Sequence, residues 1–348
     1  MAGNVRECTT GIPDILQSGR IGLLTYPRPA CIVGRRAGPG SVPSVRATRP
    51  MATWETFVTD SMATVIAKKF IQRRDAKARQ KDNGDYAPVA DWNPDGTRGD
   101  LHPWKMSDIE EHLAGTQTYG HYLVDTADQC KLFAFDIDLR TNKPENAQGP
   151  AFTGSYCVLP DLTNVTDDLT NEQYDALVQR YAMDPRTDWL NRAHPGRPWL
   201  KYQLRMTAAK LARIVYEELE IPVATAYSGS KGLHVYGFTG SISAKAAQDA
   251  AQMVLQLAGG WAPSAGNNFY QSIDQDPFHG YPNLSIEVFP KQTSLQGKDL
   301  GNLMRLPLGR NRKSPDTPFF IDERVGLNTI APHPDPIALL ESGNPWRD

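Results

Sequence analysis

The 348-residue chain is poor in cysteine, with only Cys8, Cys31, Cys130 and Cys157. No two of them form a C-x-x-C pair, and no Cys/His cluster has zinc-finger spacing. A disulfide framework and a compact zinc module are therefore not expected, and a reduced, cytoplasmic setting is. Long apolar runs are also missing: the longest fall far short of the ~20 residues a spanning helix needs, so no membrane partner is predicted. Charge of one sign is missing too, since 37 basic and 39 acidic residues leave a formal net charge of -2. Bulk charge thus does not advertise nucleic-acid binding, although a local basic groove would suffice for it. No Gly-x-x-x-x-Gly-Lys-Ser/Thr occurs, which argues against an ordinary P-loop ATPase. What is present is an ordinary globular composition, 40% hydrophobic and 22% charged, long enough for one large domain or two smaller ones.

Residues 1–50 stand apart. They hold seven arginines, no lysine and two acids, Glu7 and Asp14, among many prolines and glycines. They read as a disordered or mis-started extension ahead of Met51; an Arg-rich transit peptide is the alternative. Residues 51–100 are expected to supply an N-terminal helix and a linker. Trp54, Phe57, Val58, Met62, Val65, Ile66, Phe70 and Ile71 recur at helical spacing and predict one amphipathic helix over 53–81. Its basic end, from Lys68 to Lys81, reads either as a nucleic-acid-facing patch or as a solvated helix terminus. Residues 82–103 are turn-rich, and a short helix is expected at 107–114. Strands over 119–125 and 131–139 are expected to be joined by a turn.

An irregular insertion covers about 140–200, with a helix at 171–182. Then come a helix at 201–220, a strand–loop–strand at 223–239, a helix at 244–257 capped by Ser243, a strand at 285–289 and a basic segment at 301–313. Residues 325–348 read as a Pro-rich tail or linker. Strands and helices without regular alternation predict an α+β fold.

Three segments carry chemistry. In Phe133-Ala-Phe-Asp-Ile-Asp-Leu139, a strand projects Asp136 and Asp138 to one side and Phe135, Ile137 and Leu139 to the other. Two adjacent acids repel and call for a compensating charge, which a divalent cation such as Mg²⁺ or Mn²⁺ supplies; exposed acids on an edge strand are the competing reading. The loop Ser228-Gly-Ser-Lys231-Gly-Leu-His234 sets backbone N–H groups, hydroxyls, a cation and an imidazole on a tight turn suited to a triphosphate. Glu287, the lone acid of Leu284-Ser-Ile-Glu-Val-Phe289, would complete a two-metal site. Arg305 and Arg310 bracket an apolar stretch and suit phosphate contacts, and Lys291 is a further candidate.

Together these segments resemble the archaeo-eukaryotic primase superfamily, in its prim-pol branch. Leu132 to Asp138 is similar to that family's hhhDhD motif, Ser228 to His234 to its Ser-x-His motif, and Glu287 to its third, acidic motif. The run Gly301-Asn-Leu-Met-Arg305-Leu-Pro-Leu-Gly resembles segments that follow the third motif. The likeness covers about residues 100–320.

It implies a catalytic domain over 101–324 with an RRM-like, mixed or antiparallel sheet flanked by helices. It implies Asp136, Asp138 and Glu287 as ligands of two divalent ions, Mg²⁺ or Mn²⁺. Ser228, Lys231 and His234 would hold an NTP or dNTP, assisted by Arg305 and Arg310. Template-directed nucleotidyl transfer on single-stranded DNA with a primer is the implied activity, with a helicase domain or protein as a further partner. A family zinc module has no counterpart here. The rival expectations are a metal-dependent nuclease and a non-catalytic single-strand or origin-binding module.

Overall fold

Period-two alternation in three segments decides the architecture. The computed structural model describes residues 60–139, 156–157, 172, 182–183, 191, 193–194, 197–263, 268–272 and 284–347, apart from 313, 315 and 328. In chain order the elements are α1 (Asp60–Phe70), β1 (Lys77–Gln80), β2 (Tyr86–Pro88), β3 (Ala90–Trp92), β4 (Arg98–Leu101), α2 (Met106–Leu113), β5 (Tyr119–Tyr122) and β6 (Gln129–Leu139). Two short strands follow, β7 (Tyr156–Cys157) and β8 (Ala182–Met183), then α3 (Arg197–Arg213), which runs into a π-helical turn (Ile214–Glu218). The rest is β9 (Val223–Tyr227), β10 (Gly232–Ser243), α4 (Ala244–Ala258), β11 (Trp261–Pro263), β12 (Phe269–Ser272), β13 (Leu284–Phe289), β14 (Leu303–Arg305), β15 (Phe319–Phe320) and α5 (Pro336–Ser342).

The main sheet has seven strands in the order β11-β12-β13-β6-β10-β9-β15, every pair antiparallel. The α+β expectation is met, and β6 lies at the centre rather than at an edge. Phe133, Phe135 and Ile137 of β6, Leu233 and Val235 of β10, and Leu284, Ile286 and Val288 of β13 pack into one core with α3 and α4. Leu132 and Ala134, Tyr236 and Phe238, and Phe289 pack on the opposite face with α1 and α5. Alternation therefore sends Asp136, Asp138, His234 and Glu287 to this second face, beyond the apolar part that the helices cover. Ser243 caps α4 as expected, its side chain accepting from Ala246 N–H at 3.2 Å.

A second, four-stranded sheet, in the order β14-β5-β1-β2, departs from the sequence reading. The helix expected to reach residue 81 ends at Phe70, and Lys77–Gln80 is a strand. Lys68 and Lys69 lie in the last turn of α1 as a helix end would have them, and Arg74, Arg79 and Lys81 are exposed but off the helix. Lys77 is buried and bound to Asp108 at 2.5 Å, and Arg73 is bound to Asp75 at 3.2 Å. Strands β5 and β6 do not form a hairpin: β5 pairs with β1 and β14 instead. Gly120 permits that pairing, because a Cβ there would lie 2.8 Å from the Leu303 side chain. The turn-rich 82–103 stretch holds β2 and the β3–β4 hairpin.

Residues 325–347 are not a projecting tail. Asp335 caps α5 by accepting from Ala338 N–H, and Leu339 and Leu340 are buried in the core beside α1. Burial of two leucines is worth about 1.5–3 kcal/mol each, enough to hold a two-turn helix that would not form alone. The expected extension over 1–50, the start of the first helix and most of the helix at 171–182 lie outside the described residues, as does most of the 140–200 insertion; Ala182, at the expected end of that helix, is in β8. Among the described residues no helix is long and apolar enough to cross a membrane.

One buried ion pair ties α3 to the chain after β15. Arg205 Nη1 meets Glu323 Oε2 at 2.6 Å with both side chains essentially sealed from solvent, and Arg205 Nε donates to Thr329 O at 3.1 Å. Glu323→Ala leaves the guanidinium buried without its counter-ion. Chemical denaturation is expected to show a loss of about 3–5 kcal/mol, and Arg205→Met with Glu323→Leu to recover most of it.

Candidate active site

Cross-strand register builds the site. Asp136 on β6 stands opposite His234 on β10 and opposite Glu287 on β13, so three strands place their polar residues in one row. Asp138 stands one step further along, between Gly232 and Ser285. Gly232 is small for a physical reason. A Cβ on Gly232 would stand 2.1 Å from Asp138 Oδ1, so only glycine leaves the carboxylate its place.

The glycine loop closes over this end of β10. Ser228 N–H donates to Gly232 O at 3.1 Å, and Gly232 N–H reaches Ser228 Oγ at 3.3 Å. Gly229 turns the chain at φ +74°, where an L side chain would be strained, and a Cβ there would press on Asp316 O and Pro318 at 3.1 Å. Tyr227 Oη donates to Ser230 O or to Asp316 Oδ2, both in reach. From the second sheet, Arg305 donates to Ser228 O. Ser228 and His234 are buried.

His234 sits between two partners, with Nε2 3.3 Å from Asp136 Oδ1 and Nδ1 2.8 Å from Tyr236 Oη. An ionised carboxylate only accepts, so Nε2 carries a proton toward it. Lys291 Nζ pairs with Glu287 Oε1, four residues back, and lies over the Phe289 ring at 4.9 Å.

The two aspartates separate electrostatically. Burial pushes Asp138 up, the Asp136 charge adds to it, and Lys231 and His234 only partly oppose, leaving its pKa at about 6. Burial also works to raise Asp136, but the attraction and hydrogen bond of His234, with Arg305 and Lys291 behind them, hold it below the ordinary carboxylate value. An acid pair short of positive charge at its second member is the environment a hard dication relieves. Asp136, Asp138 and Glu287 offer oxygen donors only, which suits Mg²⁺ or Mn²⁺. Among the described residues no three Asp, Glu, His or Cys side chains are already gathered as a metal-binding group. Glu287 is drawn to Lys291 and Asp136 to His234.

The structure brings together Asp136, Asp138, Glu287, His234, Ser228 and Lys231. Arg305 belongs to the group through the Ser228 carbonyl. Arg310 is exposed, and its carbonyl accepts from Thr118 Oγ1 at 2.5 Å. Arg312 is engaged elsewhere, with Asp82 and Thr116 O. Lys313 lies outside the described residues. Tyr236 escaped the sequence reading, although its place two residues after His234 puts it on the same face of β10.

A central acid pair is thus flanked by an acidic strand and a Ser-Lys-His loop on one antiparallel sheet. The sequence model "TOTE conflict system, Archaeo-Eukaryotic Primase domain" matches residues 65–344, and the chain belongs to that family. At the family level this is a primase/polymerase-type nucleotidyltransferase domain. No curated protein matches the chain. Among solved structures, the polymerase domain of Mycobacterium tuberculosis ligase D in complex with DNA is similar at 12% identity over 76% of this chain and 78% of that one, with a TM-score of 0.35.

The raised pKa of Asp138 makes a signed prediction. A carboxyl whose folded pKa lies above its unfolded value favours the fold while protonated, and that contribution is lost as pH rises through about 6. Asp138→Asn is expected to stabilise the metal-free protein at pH 7.5 by about 1–2 kcal/mol, and the gain is expected to vanish near pH 4. Thermal denaturation in EDTA at the two pH values measures it.

Proposed function

We propose that this domain joins nucleotides onto a primer 3′-hydroxyl, directed by a single-stranded DNA template and fed by NTP or dNTP. The observation that carries this reading is the shared row His234–Asp136–Glu287 with Asp138 beside it, under a loop that carries Lys231. An acid cluster alone would serve a nuclease equally. A loop of Ser228, Gly229, Lys231 and Gly232 closed against those acids suits a triphosphate, for which hydrolysis of a phosphodiester has little use.

Asp136, Asp138 and Glu287 would hold two divalent ions, Mg²⁺ or Mn²⁺. When bound, these supply Lewis acidity that neutralises phosphate charge and lowers the pKa of the attacking hydroxyl. The Ser228–Gly232 loop offers backbone N–H groups and Lys231 a cation to the outer phosphates. His234, oriented by Tyr236, presents Nε2–H, which can pass from the Asp136 carboxylate to a phosphate oxygen. Lys291 lies within reach of the same acids and, once released from Glu287, can meet the substrate's phosphates. The 3′-oxygen forms its bond to the α-phosphorus, the bond to pyrophosphate breaks, and the hydroxyl proton leaves to solvent. This reading assigns no described side chain the role of an obligatory base.

The expected behaviour is extension of a labelled primer on a single-stranded template with Mn²⁺ or Mg²⁺. Asp136→Ala with Asp138→Ala is expected to lower incorporation at least ~10³-fold, a loss in the range known for removing groups that stabilise transition-state charge, with circular dichroism unchanged. Shortening of the primer by the wild-type protein, or full extension by the double variant, would count against this reading. Primer-free reactions with NTP and dNTP in separate tubes report whether chains are also started.

A further inference from the structure

Arg305 reaches the nucleotide loop from a segment with no regular structure after Arg305, and that segment needs a support. His112, in the last turn of α2, is fully buried. Tyr119 N–H donates to its Nδ1 at 2.9 Å, which fixes the ring's tautomer. The proton is therefore on Nε2, and that N–H points at the carbonyls of Leu306 and Pro307, 3.1 Å from each. Burial lowers the His112 pKa to about 4, so this neutral form persists across the working pH range.

The turn it grips is an unusual one. Leu308 has φ +71°, a left-handed conformation that costs energy for any residue with a side chain. Gly309 lies flat on the imidazole: a Cβ there would be 1.9 Å from His112 Cε1. Two further bonds close the strap, Leu306 N–H to Tyr119 O at 3.0 Å and Thr118 Oγ1 to Arg310 O at 2.5 Å. Immediately before the turn, Arg305 donates to Ser228 O.

We propose that His112 is a positioning residue for nucleotide binding: its Nε2–H holds the Leu306–Gly309 turn, and the turn sets Arg305 against the Ser228–Lys231 loop. The nucleotide part of this inference rests on the nucleotidyl-transfer reading above; the loop-positioning part does not. Among the described residues His112 bonds to Tyr119 N–H and the turn carbonyls and not to Asp136, Asp138 or Glu287.

Two amides separate the roles of the two ring nitrogens. Asparagine can reproduce the Nδ1 acceptor but not the reach of Nε2; glutamine can reproduce the Nε2 donor. Hydrogen exchange of the full-length protein, with no nucleotide present, reads the loop directly. His112→Asn is expected to speed exchange in 228–232 at least tenfold and to raise the nucleotide KM about tenfold at nearly constant kcat, the size expected for losing one buried hydrogen-bond donor. His112→Gln is expected to restore both to within about twofold. In an Arg305→Ala background, His112→Asn is expected to add nothing to KM.

Unchanged loop exchange in His112→Asn overturns the proposal. So does a glutamine variant as defective as asparagine at equal thermal stability, or a full His112→Asn effect without Arg305. If the His112 variants fail to fold, Gly309→Ala displaces the ring from its other side. It must loosen the same loop, and unaltered exchange there overturns the proposal as well. A wild-type protein that binds no nucleotide while its loop exchange responds as described refutes the nucleotidyl-transfer reading and leaves the positioning role standing.

Discussion

The antiparallel pairing of β6 with both β10 and β13 is the constraint on which the rest depends. A strand at the middle of a seven-stranded sheet must bury one face completely, and β6 does so with Phe133, Phe135 and Ile137. The alternate residues have to face the other way, and two of them are aspartates. Register then decides their neighbours. Had β10 slipped by one residue, His234 would enter the core and Leu233 would face Asp136. The chemistry of the site is thus locked to the same hydrogen bonds and apolar packing that make the sheet.

Concentrating acids on one face creates an electrostatic load that the surrounding cations share out. His234 and, at longer range, Arg305 and Lys291 hold Asp136 ionised; Lys291 pairs with Glu287; Lys231 opposes the rise at Asp138 without cancelling it. Asp138 is consequently the least satisfied of the three acids. A site in that condition sacrifices some stability of the free protein, which is the usual relation between a functional charge cluster and the fold that carries it.

The second sheet gives the Ser228–Lys231 loop its outer support. β14 belongs to that sheet, yet Arg305 at its end donates to Ser228 in the main sheet's loop. Behind Arg305 stand His112 and the left-handed turn at Leu308. A chain of short contacts therefore runs from α2 through a turn and a guanidinium to the loop beside the acids. Its two non-covalent links are directional hydrogen bonds to backbone carbonyls.

Local pattern sufficed for much of this molecule. Alternation in 133–139 placed Asp136 and Asp138 on one face, the glycine spacing of 228–234 marked a tight loop, and the apolar frame of Glu287 marked a strand. These features are legible because a strand's period and a turn's need for glycine act within a few residues. The helices at 106–113 and 244–258 were legible for the same reason.

What local pattern could not supply was pairing. That Lys77–Gln80 leaves the helical frame, that β5 joins β1 and β14 instead of β6, and that Pro-rich residues near 336 end in a helix with buried leucines all depend on partners distant in sequence, for the last of these on α1 at the other end of the described chain. The same holds for His112 beneath the Leu306 turn. A lone buried histidine carries no pattern in sequence; only the packed structure shows which carbonyls its N–H meets. The sequence by itself determined which polar residues share a strand face or a tight loop, because side-chain type and strand period are local. The tertiary structure alone decided which of them meet, because contact depends on strand register and on chain segments distant in sequence.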